Sequence, residues 1–417
     1  MLIWGGSTAV PWRGQLTAAT DGLGSARGTV LTLAALIYLS MLNLTLVTPV
    51  LPEFITGRFG GGEAAIGAFM AAEVVAYIAL GPVWGRASDR AGRRRPFILV
   101  GLAASSALFA LMPSGGSLWA LLPMRFVQGG FTIATWSLAM TMALDVAPPV
   151  SRGRAMGILG SGMMLGLATG APIGGAVADR FGTDAPFYVA SLVLATGFAL
   201  GLLVLRDATT SPRAGPGAKQ EAASALHGAR RLWVPCAYSF VDRFTAGFFI
   251  TLFPTLLQAS FDLSPGQRGM FLGLFFLPFA AYQYPFGRLA DRFGPVPFLV
   301  GGSVFYGCLM VVVAALPPGP LAGVMFMLGF LAAAVLPASL LLLGRLSDPG
   351  SRGASMGLFN SMGSMGLAAG LMASGAMADA WGFGAAFLAG GVSVLFVMVA
   401  TLPTMLRAPA KVPAGPG

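Results

Sequence analysis

Long apolar stretches separated by short polar connections recur along the whole 417-residue chain. A stretch of about 20 residues can cross about 30 Å of hydrocarbon as a helix. The apolar residues run continuously instead of alternating, so helices are predicted and a membrane β-barrel is not. Twelve spans are predicted, near residues 29–50, 64–84, 96–113, 118–143, 154–178, 185–205, 232–257, 269–287, 296–316, 321–343, 354–378 and 383–404.

One connection is longer than the others. Residues 206–231 are polar and rich in Gly, Pro, Ala and Ser, which indicates a flexible linker. The first 27 residues lack a compact apolar core beside a cleavage site, which argues against a removable signal peptide. The predicted division is an N-terminal segment 1–28, a six-helix bundle 29–205, the linker 206–231, a second six-helix bundle 232–404 and a tail 405–417.

An internal duplication relates the two predicted bundles. Residues 151–190 align without gaps onto residues 351–390, with 17 of 40 positions identical. An offset of 200 residues covers about six spans, as expected of a membrane protein built from two parallel repeats. Solenoid repeats are much shorter, with periods of about 20–50 residues, so that class is excluded.

Composition and charge placement agree with a membrane protein. The chain is 56% hydrophobic and only 10% charged, which excludes an ordinary soluble domain. Of the 25 Lys and Arg residues, 20 fall in the termini or in the connections on one membrane face, which predicts both termini in the cytoplasm and an inner-membrane location. The net charge of +10 therefore lines a membrane face, and nucleic-acid binding is not predicted.

Catalytic and metal-binding classes find no support in the sequence. Cys236 and Cys308 lie in different predicted spans, where we expect two buried packing thiols and no disulfide. His227, the single histidine, falls in the linker. Neither a nucleotide-binding loop nor a nucleophile–base arrangement is recognisable, so no enzyme activity, metal or cofactor is predicted.

A charged turn between spans 2 and 3 carries the strongest motif. The string GRASDRAGRR at 85–94 recurs as GRLADRFG at 287–294 and resembles the cytoplasmic loop signature of the major facilitator superfamily. The resemblance implies an all-α fold of twelve helices in two pseudo-symmetric bundles, and a monomeric transporter of small molecules. It also implies that the loop latches the two halves together in the outward-open state. The implied latch residues are Gly85, Asp89, Arg90, Gly92, Arg93, Asp145, Gly287, Asp291 and Arg292.

Within this latch, the resemblance places Asp89 against the end of helix 11. It pairs Arg90 or Arg93 with Asp145, at the end of helix 4. The second copy lacks the Arg run, so a weaker latch is expected there. The alternative is a simple turn that obeys the charge rule and has no conformational role.

Two further strings resemble elements of the same superfamily. Residues 125–130 resemble the R-x-x-Q-G element of helix 4 in proton-coupled members, through Arg125, Gln128 and Gly129. Residues 166–175 resemble the glycine-rich helix 5 of exporters, although Ala171 holds the usual Pro position. The alternatives are a structural salt bridge and plain helix packing. The implied hinge residues are Gly166, Gly170, Pro172, Gly174 and Gly175.

Four ionisable residues lie deep inside predicted spans: Glu73, Arg125, Asp242 and Arg243. A charge at that depth must face protein or a water-filled cavity. An acid that gains and loses a proton there could couple proton movement to transport. The alternative is a static charge network that fixes helix packing.

The motifs together favour the drug–proton antiporter branch of the superfamily, exporting a small amphipathic or hydrophobic compound. Helix 1 lacks the acid that many such exporters carry, so Glu73 or Asp242 would have to bind the proton. One alternative is a proton symporter that imports a nutrient or organic anion through Arg125 or Arg243. Another is a non-transporting membrane protein on the same scaffold. The pocket candidates are Tyr38, Asn43, Trp136, Tyr238, Phe244, Tyr282 and Tyr284.

Overall fold

The computed structural model describes residues 23–206, 217–347 and 352–407, and these residues are almost entirely helical, without a strand among them. The first half contains six long helices. They are α1 (Arg27–Leu46), α2 (Glu63–Ala91), α3 (Arg95–Leu111), α4 (Leu118–Val146), α5 (Arg152–Phe181) and α6 (Ala185–Val204).

The second half repeats this arrangement. Its helices are α7 (Gly217–Phe261), α8 (Pro265–Phe293), α9 (Val296–Val312), α10 (Pro318–Leu346), α11 (352–381) and α12 (383–407). The break between α11 and α12 falls at Gly382, whose φ of 81° is readily adopted only by glycine. The predicted twelve helices in two bundles are therefore confirmed.

Most of these helices qualify individually as membrane spans. Within the described ranges, nine segments are long and apolar enough to cross a bilayer, and the segment Arg352–Leu406 contains both α11 and α12. The helices α4 and α8 are 29 residues each and lie inside the bundles between such segments. The chain is a multi-pass membrane protein.

Some helix ends differ from the predicted spans. The helix α2 continues to Ala91, so the Asp89 turn is partly helical. The helix α7 begins at Gly217, so residues 217–231 of the predicted linker are helical. This stretch is rich in Ala and long polar residues, which are good helix formers. Residues 207–216 and the two predicted terminal segments fall largely outside the described ranges. The domain division stays a prediction.

Glycine stripes set the packing inside each bundle. A Cβ on Gly162 or Gly166 of α5 would lie 2.7 Å or 2.5 Å from a backbone oxygen of α1, and Gly170 and Gly174 are packed more tightly still. The same register recurs in the second half, where Gly366 and Gly370 of α11 meet the backbone of α7. Helices approach this closely only where side chains are absent.

Two related helix pairs join the halves. The helix α5 packs on α8, where Gly175 meets the backbone of Pro265 and Gly269 meets that of Ala171. The helix α2 packs on α11 in the same way. We call the membrane face that carries residues 85–94 the loop face and the opposite one the far face. The closest approaches of both pairs lie near the far face, at the start of α2 and α8 and the end of α5 and α11.

Candidate functional site

A buried ion pair lies in the first bundle. Glu73 of α2 contacts Arg125 of α4, and the two side chains are 2% and 0% exposed. The Tyr77 hydroxyl donates a 2.6 Å hydrogen bond to Oε1 of Glu73. The Arg125 guanidinium also lies 5.1 Å from the Phe69 ring centroid and 5.4 Å from that of Phe109. Pairing and ring contacts offset the cost of burying these charges.

The ion pair continues as a hydrogen-bonded chain along α4. Arg125 donates to Gln128 at 3.0 Å, and Gln128 donates to the Thr132 hydroxyl at 2.6 Å. A Cβ on Gly129 would lie 2.7 Å from the Cα of Glu73. In the helix 4 element, Arg125 contacts the Glu73 carboxylate, Gln128 accepts a hydrogen bond from Arg125, and Gly129 lets α2 approach closely. Their role in proton coupling stays a prediction.

Asp242 of α7 has different surroundings. It lines a small cavity of about 20 Å³ together with Tyr238, Thr245, Ser303 and Tyr306. The Tyr306 hydroxyl donates to that of Thr245 at 3.2 Å. A cavity of this size has room for about one water molecule. Across the ranges that the structure describes, no ion pair within 4.0 Å joins Asp242 to a cation.

Arg243 follows Asp242 in sequence but contacts another helix. Its Nη2 donates to Oδ1 of Asn360 on α11 at 3.4 Å. A Cβ on Gly363 would lie 2.8 Å from its Cδ and Nε, so this glycine leaves room for the guanidinium. The four charges thus comprise one tight ion pair and two neighbouring charges whose side chains contact different groups.

The Asp89 turn is closed by an arginine that was not predicted. Arg94 is buried; its Nη1 contacts Asp89 at 3.0 Å and its Nε contacts Asp145 at 2.6 Å. Arg90 and Arg93 are exposed, and the contact with Asp145 that the structure describes comes from Arg94. Arg94 reaches both acids because the chain reverses direction after α2 at Gly92, whose φ is 62°. A pairing of Arg90 or Arg93 with Asp145 stays a prediction.

Among the described residues, the second copy of the turn is not closed by an ion pair. Asp291 and Arg292 are exposed, and Arg292 lies 5.2 Å from the Phe293 ring centroid. Gly287 is part of α8, with Pro337 of α10 beside it. In the described part of the chain, no hydrogen bond or ion pair connects Asp89 or Asp291 to the opposite half. The latch contact with α11 therefore stays a prediction.

The predicted hinge residues lie at two contacts. Gly166, Gly170 and Gly174 face α1, whereas Gly175 faces the start of α8. Pro172 also reaches α8, because a Cβ on Gly273 would lie 2.8 Å from its Cγ. Pivoting about this segment stays a prediction.

The predicted pocket aromatics are spread over the molecule. Trp136 packs edge-on against Tyr77, with centroids 6.0 Å apart, and its buried Nε1 has no partner among the described residues. Phe244 stacks on Phe240, and Tyr282 packs edge-on against Phe330. None of these three residues lines the Asp242 cavity, and a shared substrate pocket stays a prediction.

The remaining pocket candidates are equally scattered. The Tyr38 hydroxyl lies 3.3 Å from that of Thr169, and Asn43 donates to a backbone oxygen of its own helix. Tyr238 lines the Asp242 cavity, whereas Tyr284 is 73% exposed.

Sequence reasoning missed an ion pair between the halves. Arg268, predicted in a connection, is fully buried at the start of α8 and contacts Glu53 of the segment after α1. The available signal was weak, namely an acid directly after Pro52 and an arginine close to a helix start.

The expectation of two buried thiols holds for one of them. Cys236 is buried, whereas Cys308 is exposed.

Comparison with known families decides the class. Residues 33–241 and 235–417 both match the family described as Major Facilitator Superfamily. The chain belongs to this superfamily. Its members carry small molecules across membranes, and a transporter is the class to which the first predictions pointed.

Individual relatives are distant. The chain is 25% identical to the class E tetracycline resistance protein of Escherichia coli, over 69% of this chain and 72% of that protein. It is 26% identical to multidrug resistance protein MdtG of Serratia proteamaculans, over 79% and 81%. A bacterial homologue of the human lysosomal transporter Spinster, solved in an inward-facing and occupied conformation, superposes with a TM-score of 0.76 at 16% identity, covering 98% of this chain and all of that one. The two sequence relatives place the chain near drug-efflux transporters, and the solved structure shows the shared fold.

Proposed function

We propose that this transporter is a proton-coupled exporter of a small amphipathic or hydrophobic compound. It works as a monomer in the inner membrane by alternating access, with both termini and the loop face in the cytoplasm. The names of the relatives support efflux, and the positive charge on the loop face supports the orientation. The observation that carries proton coupling is the Asp242 carboxylate, which lines a water-sized cavity and has no cation within ion-pair distance among the described residues.

Asp242 is the better proton carrier of the two membrane acids. Protonation of Glu73 would leave Arg125 buried without its partner, and breaking such a pair costs about 3–5 kcal/mol. Protonation of Asp242 breaks no ion pair among the described residues, and the adjacent cavity can hold the water that delivers the proton. Glu73 and Arg125 then serve as a fixed support for the first bundle.

The substrate contacts follow from the unsatisfied polar groups and the aromatic rings. Trp136 offers a buried indole N–H without a partner in the described ranges, beside the ring of Tyr77. Such a pair suits a compound with an apolar body and one hydrogen-bond acceptor. An amphipathic substrate therefore fits this part of the first bundle.

Proton coupling can be tested with Asp242→Asn in everted membrane vesicles. Uptake of tetracycline and of ethidium, driven by an acidic interior, should be lost in this variant, whereas exchange of preloaded compound should persist. Asp184→Asn is the matched control, because Asp184 is a partly exposed acid paired with Arg58 at the far face. Gradient-driven uptake by Asp242→Asn at the wild-type rate would overturn the assignment of the proton to this residue.

A second candidate is a proton symporter that imports an organic anion. The specific observation in its favour is Arg243, which has Asn360 as a polar neighbour and no carboxylate within ion-pair distance in the described chain. A guanidinium in this state could receive a substrate carboxylate. Accumulation in right-side-out vesicles under an outside-acidic gradient, lost in Arg243→Gln, would favour import over export.

A further inference from the structure

Two aspartates at the far face each cap a helix of the opposite half. Asp379, near the end of α11, accepts hydrogen bonds from the backbone N–H groups of Glu63 at 2.8 Å and Ala64 at 2.9 Å, at the start of α2. Asp179, near the end of α5, accepts from the N–H of Gly266 and the hydroxyl of Ser264, both at 3.0 Å, at the start of α8.

These contacts satisfy groups that a helix leaves without partners. The first N–H groups of a helix have no acceptor within it, and the helix dipole favours a negative charge at that end. The residue before α2 is Gly62, which has no side chain to supply a cap. Asp379 therefore supplies from the other half what the sequence around α2 lacks.

A glycine at each helix start leaves room for the carboxylate that contacts it. A Cβ on Gly62 would lie 2.7 Å from Oδ2 of Asp379, and a Cβ on Gly266 would overlap Oδ2 of Asp179. A side chain at either glycine would displace the carboxylate. The aspartates are related by the 200-residue repeat, so the arrangement occurs once in each half.

A third contact at this face lacks the twofold relation. The buried ion pair of Glu53 and Arg268 joins the segment after α1 to α8. The 202-residue register that relates α2 to α8 places Thr255 and Ile66 at the equivalent positions. The ion pair thus strengthens the contact of α8 with the first half, and the equivalent positions beside α2 carry no such pair.

We propose that Asp179 and Asp379 form a paired clasp that holds the far face closed, and that the far face opens only when both carboxylates leave the helix starts that they contact. The clasp presumes an alternating-access transporter, as in the proposed function, but neither its substrate nor its coupling to protons. Asp179 and Asp379 act as positioning residues of the transport cycle.

The test measures the opening of the far face directly. Spin labels are placed at Ser114→Cys and Gly319→Cys, two exposed far-face positions in opposite halves, in a background carrying Cys236→Ala and Cys308→Ser. Distances between the labels are measured by double electron–electron resonance in lipid nanodiscs. Each of Asp179→Ala and Asp379→Ala should raise the ratio of long to short distances about two- to five-fold, and the double variant should show the product of the two effects.

Three variants separate the clasp from general damage. Asp→Asn at the same positions keeps an acceptor oxygen but removes the charge, so a smaller rise is expected. Gly62→Ala keeps both aspartates in the sequence but displaces the Asp379 carboxylate, and should mimic Asp379→Ala. Asp184→Asn, whose partner Arg58 belongs to the same half, should leave the distances unchanged.

Two results would overturn the clasp. One is an unchanged distance distribution in a folded, monodisperse Asp179→Ala/Asp379→Ala variant. The other is an equal rise in Asp184→Asn, because the effect would then come from far-face charge in general. The readout of this test is a distance and not transport. The result for Asp242→Asn therefore does not affect it, and the clasp and the proton coupling can fail separately.

Discussion

At the scale of single residues, small side chains decide where charges can be held. Gly129 lets α2 approach until the Glu73 carboxylate meets Arg125, and Gly363 makes room for the Arg243 guanidinium. The side chains of α4 extend the first contact into a chain of hydrogen bonds. Glu73 and Arg243 therefore each depend on a glycine of the neighbouring helix as well as on their own partner.

Gly129→Ala tests this dependence. The added Cβ would lie 2.7 Å from the Cα of Glu73, so α2 must shift and the ion pair must lengthen. We expect a loss of about 1–3 kcal/mol in the free energy of unfolding, seen as a lower melting temperature of the detergent-solubilised protein. Gly160→Ala is the control, because its Cβ would meet nothing within 4 Å and should leave stability equal or slightly higher. Equal melting temperatures for the two variants would contradict the argument.

Arg94→Gln tests the tie that closes the Asp89 turn. The substitution removes charged contacts to Asp89 and Asp145 from a buried position, and hydrogen bonds to charged groups contribute about 1.5–3 kcal/mol each. We expect a clear drop in melting temperature and faster proteolysis at the turn. The neighbouring Arg93→Gln, at an exposed position, should differ little from the wild type. If Arg93→Gln proved the more damaging change, the assignment of the tie to Arg94 would be wrong.

The sequence identified these charges but not all of their partners. Hydropathy places Arg94, Arg243 and Arg268 near helix ends or inside spans. Which polar partner each one meets depends on helix rotation and on the packing of a second helix. Arg268 illustrates the limit, since its partner Glu53 is more than 200 positions away in the other half.

At the scale of helices, glycine and proline set both packing and interruptions. The stripe on α5 and its repeat on α11 follow directly from the Gly-x-x-x-Gly spacing, and this packing could be read from the sequence. The ends of α2 and α7 could not, because hydropathy detects only the apolar part of a helix, whereas a helix continues as long as its polar residues favour it.

Gly382→Ala tests the break between α11 and α12. At a φ of 81° an alanine meets strain of about 1–2 kcal/mol, and relief would require the two helices to reorient. We expect a lower melting temperature in this variant. Gly384→Ala lies two residues further on, has an ordinary φ and would meet nothing within 4 Å, so it should be tolerated. A Gly382→Ala protein as stable as Gly384→Ala would show that the break is not held by the glycine conformation.

At the scale of the whole molecule, the two faces hold different contacts. The described structure has helix caps and an ion pair between the halves at the far face. At the loop face, the Asp89 carboxylate contacts Arg94 of its own half and is 53% exposed. A contact between Asp89 and α11 would therefore form only in the other access state, in which the far face is open.

Asp89→Asn should consequently act in the opposite direction to the clasp variants. Loss of the Asp89 charge weakens only the access state that uses the loop-face latch. Folding should therefore be retained, transport should slow, and the labels at residues 114 and 319 should move further toward short distances. Because two latches on opposite faces bias one equilibrium, Asp89→Asn combined with Asp379→Ala should return the distance distribution toward that of the wild type.

The comparison uses proteins at matched expression, with transport measured in vesicles. Wild-type transport and distances in Asp89→Asn would mean that the loop is only a topological turn. A shift toward long distances would mean that Asp89 stabilises the closed far face instead.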